Sequence, residues 1–339
     1  MKILAIQLKR IGDVLLVTPA LFALKQRFPS AEIHFLTLAP NHQIFRFSPL
    51  VNQVTVLQPK NKRKLLAQLW RLRKENYDVT LDFMSTPKSA FFCWFIGAKK
   101  RIGFAFRFRS WAYTEKVLYS SDLQYSVIHK LSLLQPLGIK TTNFQLHFQN
   151  QSFLPFLKRW KKKPGNRFQI LISPISRRIY KQWPVEKFAE LIFKIFLQMQ
   201  LSPPVQFDFL LVGGPGEEEG VEKLAELLQK KQIQAEIQIF RNLEQVWRNF
   251  RKADFFLGND NGLRHFAIAM ELPTLGIFGQ GHPSSWTPPN HFLHAVVENF
   301  LPCKLACAYP HCSLGCIEVP VKKVADKFWQ HFFRMYLST

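Results

Sequence analysis

The chain has 339 residues, 47% of them apolar, and includes 33 Phe and 8 Trp. These values exclude a disordered chain and are typical of two α/β domains of roughly 150 residues each. No run approaches the roughly 18 consecutive apolar residues of a transmembrane helix, and the start "MKILAIQL" does not resemble a signal peptide, so we expect a cytoplasmic protein.

The positive charge lies almost entirely in the first half. The net charge is +23; residues 1–165 contain 27 Lys and Arg against 7 Asp and Glu, whereas residues 166–339 contain 19 against 16. This asymmetry indicates that the first half faces a polyanion, which is nucleic acid, an anionic membrane or a phosphorylated substrate. A genome rich in lysine, the alternative, would charge both halves alike.

The first half alternates apolar strands with helical stretches, which predicts a mostly parallel sheet covered on both faces. The predicted strands are 2–8, 31–36, 53–57, 78–82 and 101–104, and the predicted helices are 14–28, 63–75 and 85–96. A basic run that ends in Pro164-Gly165, residues 157–167, is typical of a linker. We therefore place one strongly basic domain at 1–163 and a second domain at 164–339.

The second half repeats the same alternation. It has predicted strands at 168–173, 207–212, 235–240, 254–258 and 273–278, predicted helices at 184–199, 217–231, 243–251 and 262–271, and a last amphipathic helix at 321–336. The sequence predicts two doubly wound, Rossmann-like parallel-sheet domains that face a central cleft.

The loop after the first strand carries an acid, Asp13, in "LKRIGDVLL". The carboxyl end of a strand in a doubly wound sheet faces the ligand crevice, where a carboxylate can take a proton from a substrate hydroxyl. The same residue also fits a helix N-cap or a first-turn acid that complements the helix dipole. From this stretch alone the capping role is favoured.

Three stretches of the second half fit an anionic ligand. Lys181 in "SPISRRIYKQWP" lies just before a predicted helix, where phosphate binds well, although a solvated lysine fits equally. "GGPGEEEG" (213–220) is glycine-rich, but its glycine spacing and glutamates do not match a dinucleotide fingerprint. "GNDNGLRHF" (258–266) ends a strand and begins a helix, so free amides, Asp260 and His265 come together there.

Four segments in this order resemble glycosyltransferase family 9, which contains the ADP-heptose–lipopolysaccharide heptosyltransferases. They are "RIGDVLLVTPAL", "KQWPVEKFAEL", "GGPGEEE" and "GNDNGLRHFAIAMELPTLGIFG". "YDVTLDF", "GAKKRIGF" and the cysteine-bearing tail are also similar, so the resemblance spans nearly the whole chain. It implies a GT-B fold, an inverting and metal-independent mechanism that requires no cofactor, and an ADP-heptose donor.

The resemblance also assigns roles to residues. Asp13 is then the general base and Lys181 the contact to the donor diphosphate, with Ser176 as a further donor contact and Glu217 as a ribose contact. Asp260 binds the sugar, and the phosphate-binding loop is formed by Asn261, Gly262, Leu263 and His265. Two departures bear on donor identity: Lys9-Arg10 stand where small hydroxyl residues are usual, and Asn261 stands where a hydroxyl is usual.

The implied acceptor is an anionic, lipid A-type molecule, so we expect a monomer that is peripheral on the inner membrane. Basic residues of "PKNKRK" lie between a strand end and a helix, and "KRIGFAFRFRSW" mixes cations with aromatic residues, as membrane interfaces do. The candidate acceptor-binding residues are Lys60, Lys62, Arg63, Lys64 and Arg101.

Four cysteines cluster near the end of the chain, in the segment 303–316. They are Cys303, Cys307, Cys312 and Cys316, a density compatible with a structural zinc ion, with reduced thiols or with a disulfide pair.

Two alternatives to a heptosyltransferase stay open at this point. One is an enzyme of the same fold with another nucleotide-sugar donor. The other is a basic nucleic-acid-binding protein, which would leave the motifs of the second domain unexplained, and we expect no nucleic-acid partner.

Overall fold

The computed structural model describes residues 1–46, 48–148, 166–201, 205–304, 307 and 309–337. The chain divides into two compact units, Met1–Gln151 and Ser152–Thr339. The predicted domain boundary and most of the predicted linker lie outside the described residues. No helix within the described ranges has both the length and the apolar character of a membrane crossing.

The first unit contains a six-stranded parallel sheet with β1 near its centre. The strands are β1 (Lys2–Ile6), β2 (Glu32–Thr37), β3 (Gln53–Val56), β4 (Val79–Asp82), β5 (Lys100–Phe104) and β6 (Glu115–Val117). Their spatial order is β3-β2-β1-β4-β5-β6. Ile3 pairs with Ile33 on one side and with Val79 on the other, so β1 is enclosed by apolar strands.

Helices flank these strands. They are α1 (Ile11–Leu15), α2 (Thr18–Arg27), α3 (Lys62–Lys74), α4 (Pro87–Ile96) and α5 (Ser126–Ser132). Of these, α3 and α4 lie where the periodicity predicts them. Asn61 caps α3 through a bond from Lys64 N, and Thr86 with Ser89 forms a capping box for α4. Gly97 ends α4 with a φ of 74°, which a glycine adopts without strain.

The predicted helix 14–28 is two helices. Pro19 stands in the first turn of α2, where its missing N–H costs nothing, but it cannot continue a helix that arrives from α1. Thr18 Oγ1 donates to Leu15 O at 2.6 Å across the break. The short β6 and α5 were not predicted from the sequence.

The second unit repeats the topology of the first. Its strands are β7 (Arg167–Ser173), β8 (Gln206–Gly213), β9 (Ala235–Ile239), β10 (Phe255–Asn259), β11 (Thr274–Phe278) and β12 (His294–Glu298), in the order β12-β11-β10-β7-β8-β9. Only β12 was missed by the sequence-based prediction. The predicted α/β class, with two doubly wound parallel sheets, is confirmed.

The helices of the second unit are α6 (Val185–Leu201), α7 (Glu218–Gln229), α8 (Leu243–Phe250), α9 (Gly262–Ala269), α10 (Pro283–Trp286) and α11 (Val321–Leu337). The last helix packs on its own unit. The ring of Phe332 lies 5.2 Å from that of Phe168 in β7 and 4.9 Å from that of Phe207 in β8, so aromatic packing holds α11 on the sheet.

Both sheets reverse their direction of strand addition beside the first strand. In the first unit the reversal lies between β1 and β4, and in the second between β7 and β10. Because all strands are parallel, the loops after these pairs leave from one edge, which is where doubly wound sheets bind ligands. Asp13 follows β1, whereas Lys181 follows β7 and Asp260 follows β10.

A buried carboxylate supports this edge in the first unit. Asp82, at the end of β4, is fully buried, and burial raises its pKa. Its Oδ2 accepts a bond from Tyr113 Oη at 2.7 Å, and its Oδ1 accepts bonds from the amides of Met84 and Ser85 at 3.0 Å each.

We expect Tyr113→Phe to lower the free energy of unfolding by about 1–3 kcal/mol, because a buried carboxyl group loses a hydrogen-bond donor. Urea denaturation measures the change. Tyr119→Phe, at a side chain that is 47% exposed, is the control and should leave stability unchanged. Equal losses in the two variants would contradict this role of Tyr113.

Candidate functional site

Lys181 and Asp260 form an ion pair at the carboxyl edge of the second sheet. Lys181 ends the 3₁₀ turn Ile179–Lys181 after β7, and Asp260 directly follows β10, the neighbour of β7. Lys181 Nζ donates to Asp260 Oδ2 at 2.5 Å, and 21% and 3% of the two side chains are exposed. The pair fixes the position of an ammonium group that a phosphate oxygen can share.

The amino end of α9 begins beside this pair. Asn261 caps the helix, since its Oδ1 accepts a bond from Arg264 N at 3.2 Å while its Nδ2 donates to Ser173 Oγ at 2.8 Å. The amides of Gly262 and Leu263, in the first turn, have no acceptor inside the helix, and the helix dipole favours an anion there. The loop Asn261–Leu263 thus has the geometry of an anion site, although the Asn261 side chain itself is bound to protein.

His265 is a neutral, buried member of the same cluster. The pKa of His265 is lowered to about 4; burial is the main cause, the negative charge of Asp260 opposes it, and the positive charges of Arg264 and Lys181 add to it. The imidazole lies edge-on to Trp286, with ring centroids 5.9 Å apart. Among the described residues its Nδ1 has no hydrogen-bond partner. A neutral ring nitrogen next to an anion site can form a hydrogen bond without adding charge.

Trp286 completes this cluster and was not predicted from the sequence. Lys181 Nζ lies 5.2 Å from the centroid of its ring, a cation–π distance. Gly281, on the same loop, passes close to the ion pair: a Cβ there would lie 3.0 Å from Asp260 Oδ2 and 3.5 Å from Lys181 Nζ. A side chain at position 281 would therefore fill the space in front of the pair.

The buried Arg264 holds the backbone of Trp286 in place. It is fully buried, and its guanidinium donates to Trp286 O at 3.1 Å and to Thr287 Oγ1 at 2.8 Å. It fits only because Gly276 has no side chain, since a Cβ there would lie 2.4 Å from Arg264 Nε. Arg264 is thus a positioning residue for the loop that carries Trp286.

Two further predicted donor residues lie on neighbouring loops of this edge. Glu217 Oε2 accepts a bond from Gly214 N at 2.8 Å, which fixes the carboxylate after β8. Ser176 is buried in the loop after β7, where its amide donates to Gln182 Oε1 at 3.0 Å. The structure therefore brings all the predicted donor-binding positions to the carboxyl ends of β7, β8 and β10.

Asp13 lies in the first turn of α1 and does not cap it. The N-cap position belongs to Arg10, and no side chain accepts a bond there. The preceding loop is held by Asn41, whose Nδ2 donates to Lys9 O at 2.7 Å. Within the described part of the chain, the Asp13 carboxylate has no hydrogen bond or ion pair, so its oxygens are available to accept a proton.

Lys130, which was not predicted from the sequence, lies in the same unit as Asp13. It belongs to α5, and its Nζ donates to Phe83 O, just after β4, at 2.5 Å. Burial lowers the pKa of Lys130 to about 8; the negative charge of Asp13 opposes this shift, and the positive charge of Lys9 adds to it. A partly desolvated cation is thus held within electrostatic range of Asp13.

The predicted acceptor residues separate into two locations. Lys60, Lys62, Arg63 and Lys64 are exposed in the loop after β3 and the first turn of α3, at the same sheet edge as Asp13. Cations at a helix amino end oppose the dipole, which disfavours them unless an anion is bound. Arg101 lies at the opposite edge, at the start of β5, where its guanidinium donates to Ala112 O and Ala98 O at 2.9 and 3.0 Å.

The four clustered cysteines line one small cavity of about 40 Å³. Cys303, Cys307 and Cys312 are exposed and Cys316 is buried. Burial raises the pKa of the Cys316 thiol, Lys304 opposes the shift, and Cys303 and Cys312 add to it. Over the described ranges, no three His, Cys, Asp or Glu side chains are placed to hold one metal ion. The cysteines are therefore gathered, but they do not form a zinc ligand set as they stand.

Comparison with known proteins agrees with the motifs and the fold. The sequence profile of "Glycosyltransferase family 9 (heptosyltransferase)" matches residues 66–316. The chain belongs to glycosyltransferase family 9. It is therefore a glycosyltransferase, and its two Rossmann-like units are those of the predicted GT-B fold.

Individual members of family 9 are distant in sequence. "Lipopolysaccharide heptosyltransferase 3" of Escherichia coli K12 is 24% identical over 290 residues, 82% of each chain. The structure of E. coli ADP-heptose lps heptosyltransferase II has a TM-score of 0.74 at 21% identity, covering 98% of this chain and 99% of that one. E. coli heptosyltransferase WaaC with ADP has a TM-score of 0.69 at 20% identity and covers 99% of both chains. These two structural likenesses show the fold.

We expect three of the five thiols to react rapidly with a thiol-specific chromogenic reagent in the native, reduced protein. The slow pair is Cys93, whose thiol pKa burial raises to about 12, and the buried Cys316. Unfolding in guanidinium should expose all five. Fewer than three rapid thiols, rising to three after chelator treatment, would instead indicate a bound metal ion.

Proposed function

We propose that this family 9 enzyme transfers heptose from ADP-heptose to the inner core of lipopolysaccharide, on a Kdo- or heptose-bearing lipid A acceptor, with inversion at the anomeric carbon. The observation that carries the proposal is the Lys181–Asp260 pair, set beside the free amides of α9 and the neutral His265. An ammonium, helix amides and an uncharged imidazole together suit a leaving diphosphate.

In this proposal the second unit binds the donor. Lys181 and the amides of Gly262 and Leu263 take the diphosphate, and Glu217 takes the ribose hydroxyls. Asp260 and Ser176 contact the sugar side of the donor, and His265 donates or accepts a bond as its tautomer allows. Support for adenine as the base comes from the similar WaaC structure, which was determined with ADP.

The first unit supplies the base. Asp13 accepts the proton of an acceptor hydroxyl, whose oxygen then forms a bond to the anomeric carbon while the bond from that carbon to the ADP oxygen breaks. Attack opposite the leaving group inverts the configuration. Lys181 and the α9 amides stabilise the negative charge that develops on the departing ADP, and such interactions lower the barrier because they strengthen in the transition state.

The acceptor is the anionic partner that the basic first unit requires. Lys60, Lys62, Arg63 and Lys64 provide four exposed charges at the edge that carries Asp13, suited to the phosphates and carboxylates of a lipid A-type molecule. Arg101 is left out of this acceptor site, because it lies at the opposite edge of the sheet and its guanidinium donates to two carbonyls. This acceptor places the enzyme peripherally at the inner face of the cytoplasmic membrane.

The donor is tested by product release. Purified protein with ADP-heptose and a Kdo-bearing lipid acceptor should release ADP and yield a heptosylated lipid, detected by mass spectrometry. UDP- and GDP-sugars serve as matched alternatives. Release of UDP or GDP from these sugars, with no release of ADP from ADP-heptose, would contradict the proposed donor but not the fold.

Asp13→Asn keeps the shape of the side chain and removes the base, so we expect kcat to fall about 10²–10⁴-fold. The ADP dissociation constant should not change, because the donor is assigned to the other unit. Calorimetric titration with ADP provides this internal control. A folded variant with near-normal turnover would remove Asp13 from the mechanism.

Lys181→Gln should weaken ADP binding by about 1.5–3 kcal/mol, the value of a hydrogen bond to a charged group, which is roughly 10- to 150-fold in Kd. Lys187→Gln is the matched control, since Lys187 is a nearby lysine paired with Glu318. Thermal unfolding should be measured for both variants, because Asp260 loses its ion-pair partner in Lys181→Gln. Equal ADP affinities would show that Lys181 serves the fold alone.

A further inference from the structure

Five aromatic rings form a continuous strip on the surface of the first unit. In order they are Trp70, Phe95, Phe91, Trp94 and Trp111, and we call this set the aromatic strip. Successive ring centroids lie 5.4, 6.1, 5.8 and 5.7 Å apart. The strip joins α3, α4 and the 3₁₀ turn Ser110–Ala112 into one surface.

Most of this strip is open to solvent. Trp70, Phe91, Trp94 and Trp111 are 49%, 42%, 47% and 57% exposed, and nearby Phe108 is 79% exposed. Single exposed apolar residues are ordinary on a protein surface, whereas contiguous ones mark an interaction surface. A run of exposed rings in mutual contact therefore indicates an interaction surface.

The segments that carry the aromatic strip are basic. The segments 62–74, 87–96 and 105–112, which carry the rings, contain nine Lys and Arg and no Asp or Glu. The Arg73 guanidinium lies 6.0 Å from the Trp70 ring and 5.8 Å from the Phe95 ring, and that of Arg107 lies 5.3 Å from the Phe108 ring. The partner of this surface must therefore accept apolar rings and positive charges together.

The helix α3 has the pattern of a helix that lies flat at a membrane interface. Its inner face buries Leu69 and Leu72, while its outer face exposes Leu66 and Trp70 among lysines and arginines. Basic amphipathic helices of this kind bind with their apolar side chains at the headgroup boundary. Tryptophan is enriched at that depth, and nearby cations are attracted to anionic lipids.

We propose that the aromatic strip is the surface by which this enzyme docks on an anionic lipid bilayer. Only the choice of the membrane to which the enzyme docks rests on the proposed function. Nucleic acid fits the strip less well, because single-stranded nucleic acid stacks on open ring faces. Here Trp70 meets Phe95 and Trp94 meets Trp111 edge to face, at 83° and 67°.

Docking on this surface also suits the position of the base. The helix α3 starts at the sheet edge that carries Asp13, and its first turn holds Lys62, Arg63 and Lys64. A bilayer under α3 thus extends from the aromatic strip to the acceptor-binding cations. The rings insert, and the cations meet the lipid headgroups nearest to the catalytic edge.

The test replaces three exposed rings with a polar residue, in the variant Trp70→Gln/Trp94→Gln/Trp111→Gln. Binding is measured by co-sedimentation with vesicles of phosphatidylcholine and phosphatidylglycerol, and with vesicles of phosphatidylcholine alone. The intact protein should prefer the anionic vesicles, and its tryptophan emission should shift to shorter wavelength on binding. The variant should bind them roughly tenfold more weakly or worse.

The matched control is Ile237→Gln/Phe292→Gln/Phe300→Gln, which replaces three side chains of the second unit that are 44%, 40% and 57% exposed. It should bind vesicles as the intact protein does. Equal binding by both triple variants would overturn the proposal. A preference of the intact protein for oligonucleotide over anionic vesicles, or a dimer that only the strip variant abolishes, would overturn it as well.

Transfer to a water-soluble, lipid-free Kdo-heptose oligosaccharide separates docking from catalysis. The strip variant should transfer heptose to it at the rate of the intact protein, since these rings touch no donor residue. Loss of that transfer in the variant would overturn a pure docking role. If even the intact protein lacks transfer while the vesicle results hold, the proposed function fails and the docking surface stands.

Discussion

The parallel pairing of β1 with β4 and of β7 with β10 is the constraint on which the functional chemistry depends. In each unit the chain adds strands first to one side and then to the other, so the loops after these pairs leave the same edge without covering each other. Lys181 and Asp260 are 79 residues apart in sequence, and this pairing brings them to 2.5 Å. No local preference of either segment would do so.

Desolvation then sets the charge of each group at these edges. His265 stays neutral because it is buried, whereas Lys181 and Asp260 form an ion pair at the same edge. In the first unit, burial lowers the pKa of Lys130, and the nearby Asp13 limits that shift. The fold thus provides, from ordinary side chains, fixed positive charge for an anion on one unit and an accessible carboxylate on the other.

Much of the fold and of the position of the candidate site was predictable, because both depend on local sequence patterns. Alternating apolar runs predicted ten of the twelve strands that the described residues form, and "GNDNGLRHF" predicted the strand end and the helix start around Asn261. The short β6 and the edge strand β12 have too little periodicity to be recognised. Trp286 and Lys130 were missed for another reason: their partners are distant in sequence, and only the tertiary fold brings Trp286 to Lys181 and Lys130 towards Asp13. The break between α1 and α2 was missed because the apolar spacing continues across it, although Pro19 is a residue that interrupts helices.

The close approach of Gly276 and Arg264 has a consequence for how this family can diversify. The arginine fills the volume that a side chain at 276 would need, and it also carries the loop that bears Trp286. Neither position can change freely while the other is retained, so the two should vary as a correlated pair among homologues. A combinatorial library that randomises one of them alone would consist mostly of chains in which the tryptophan loop is misplaced.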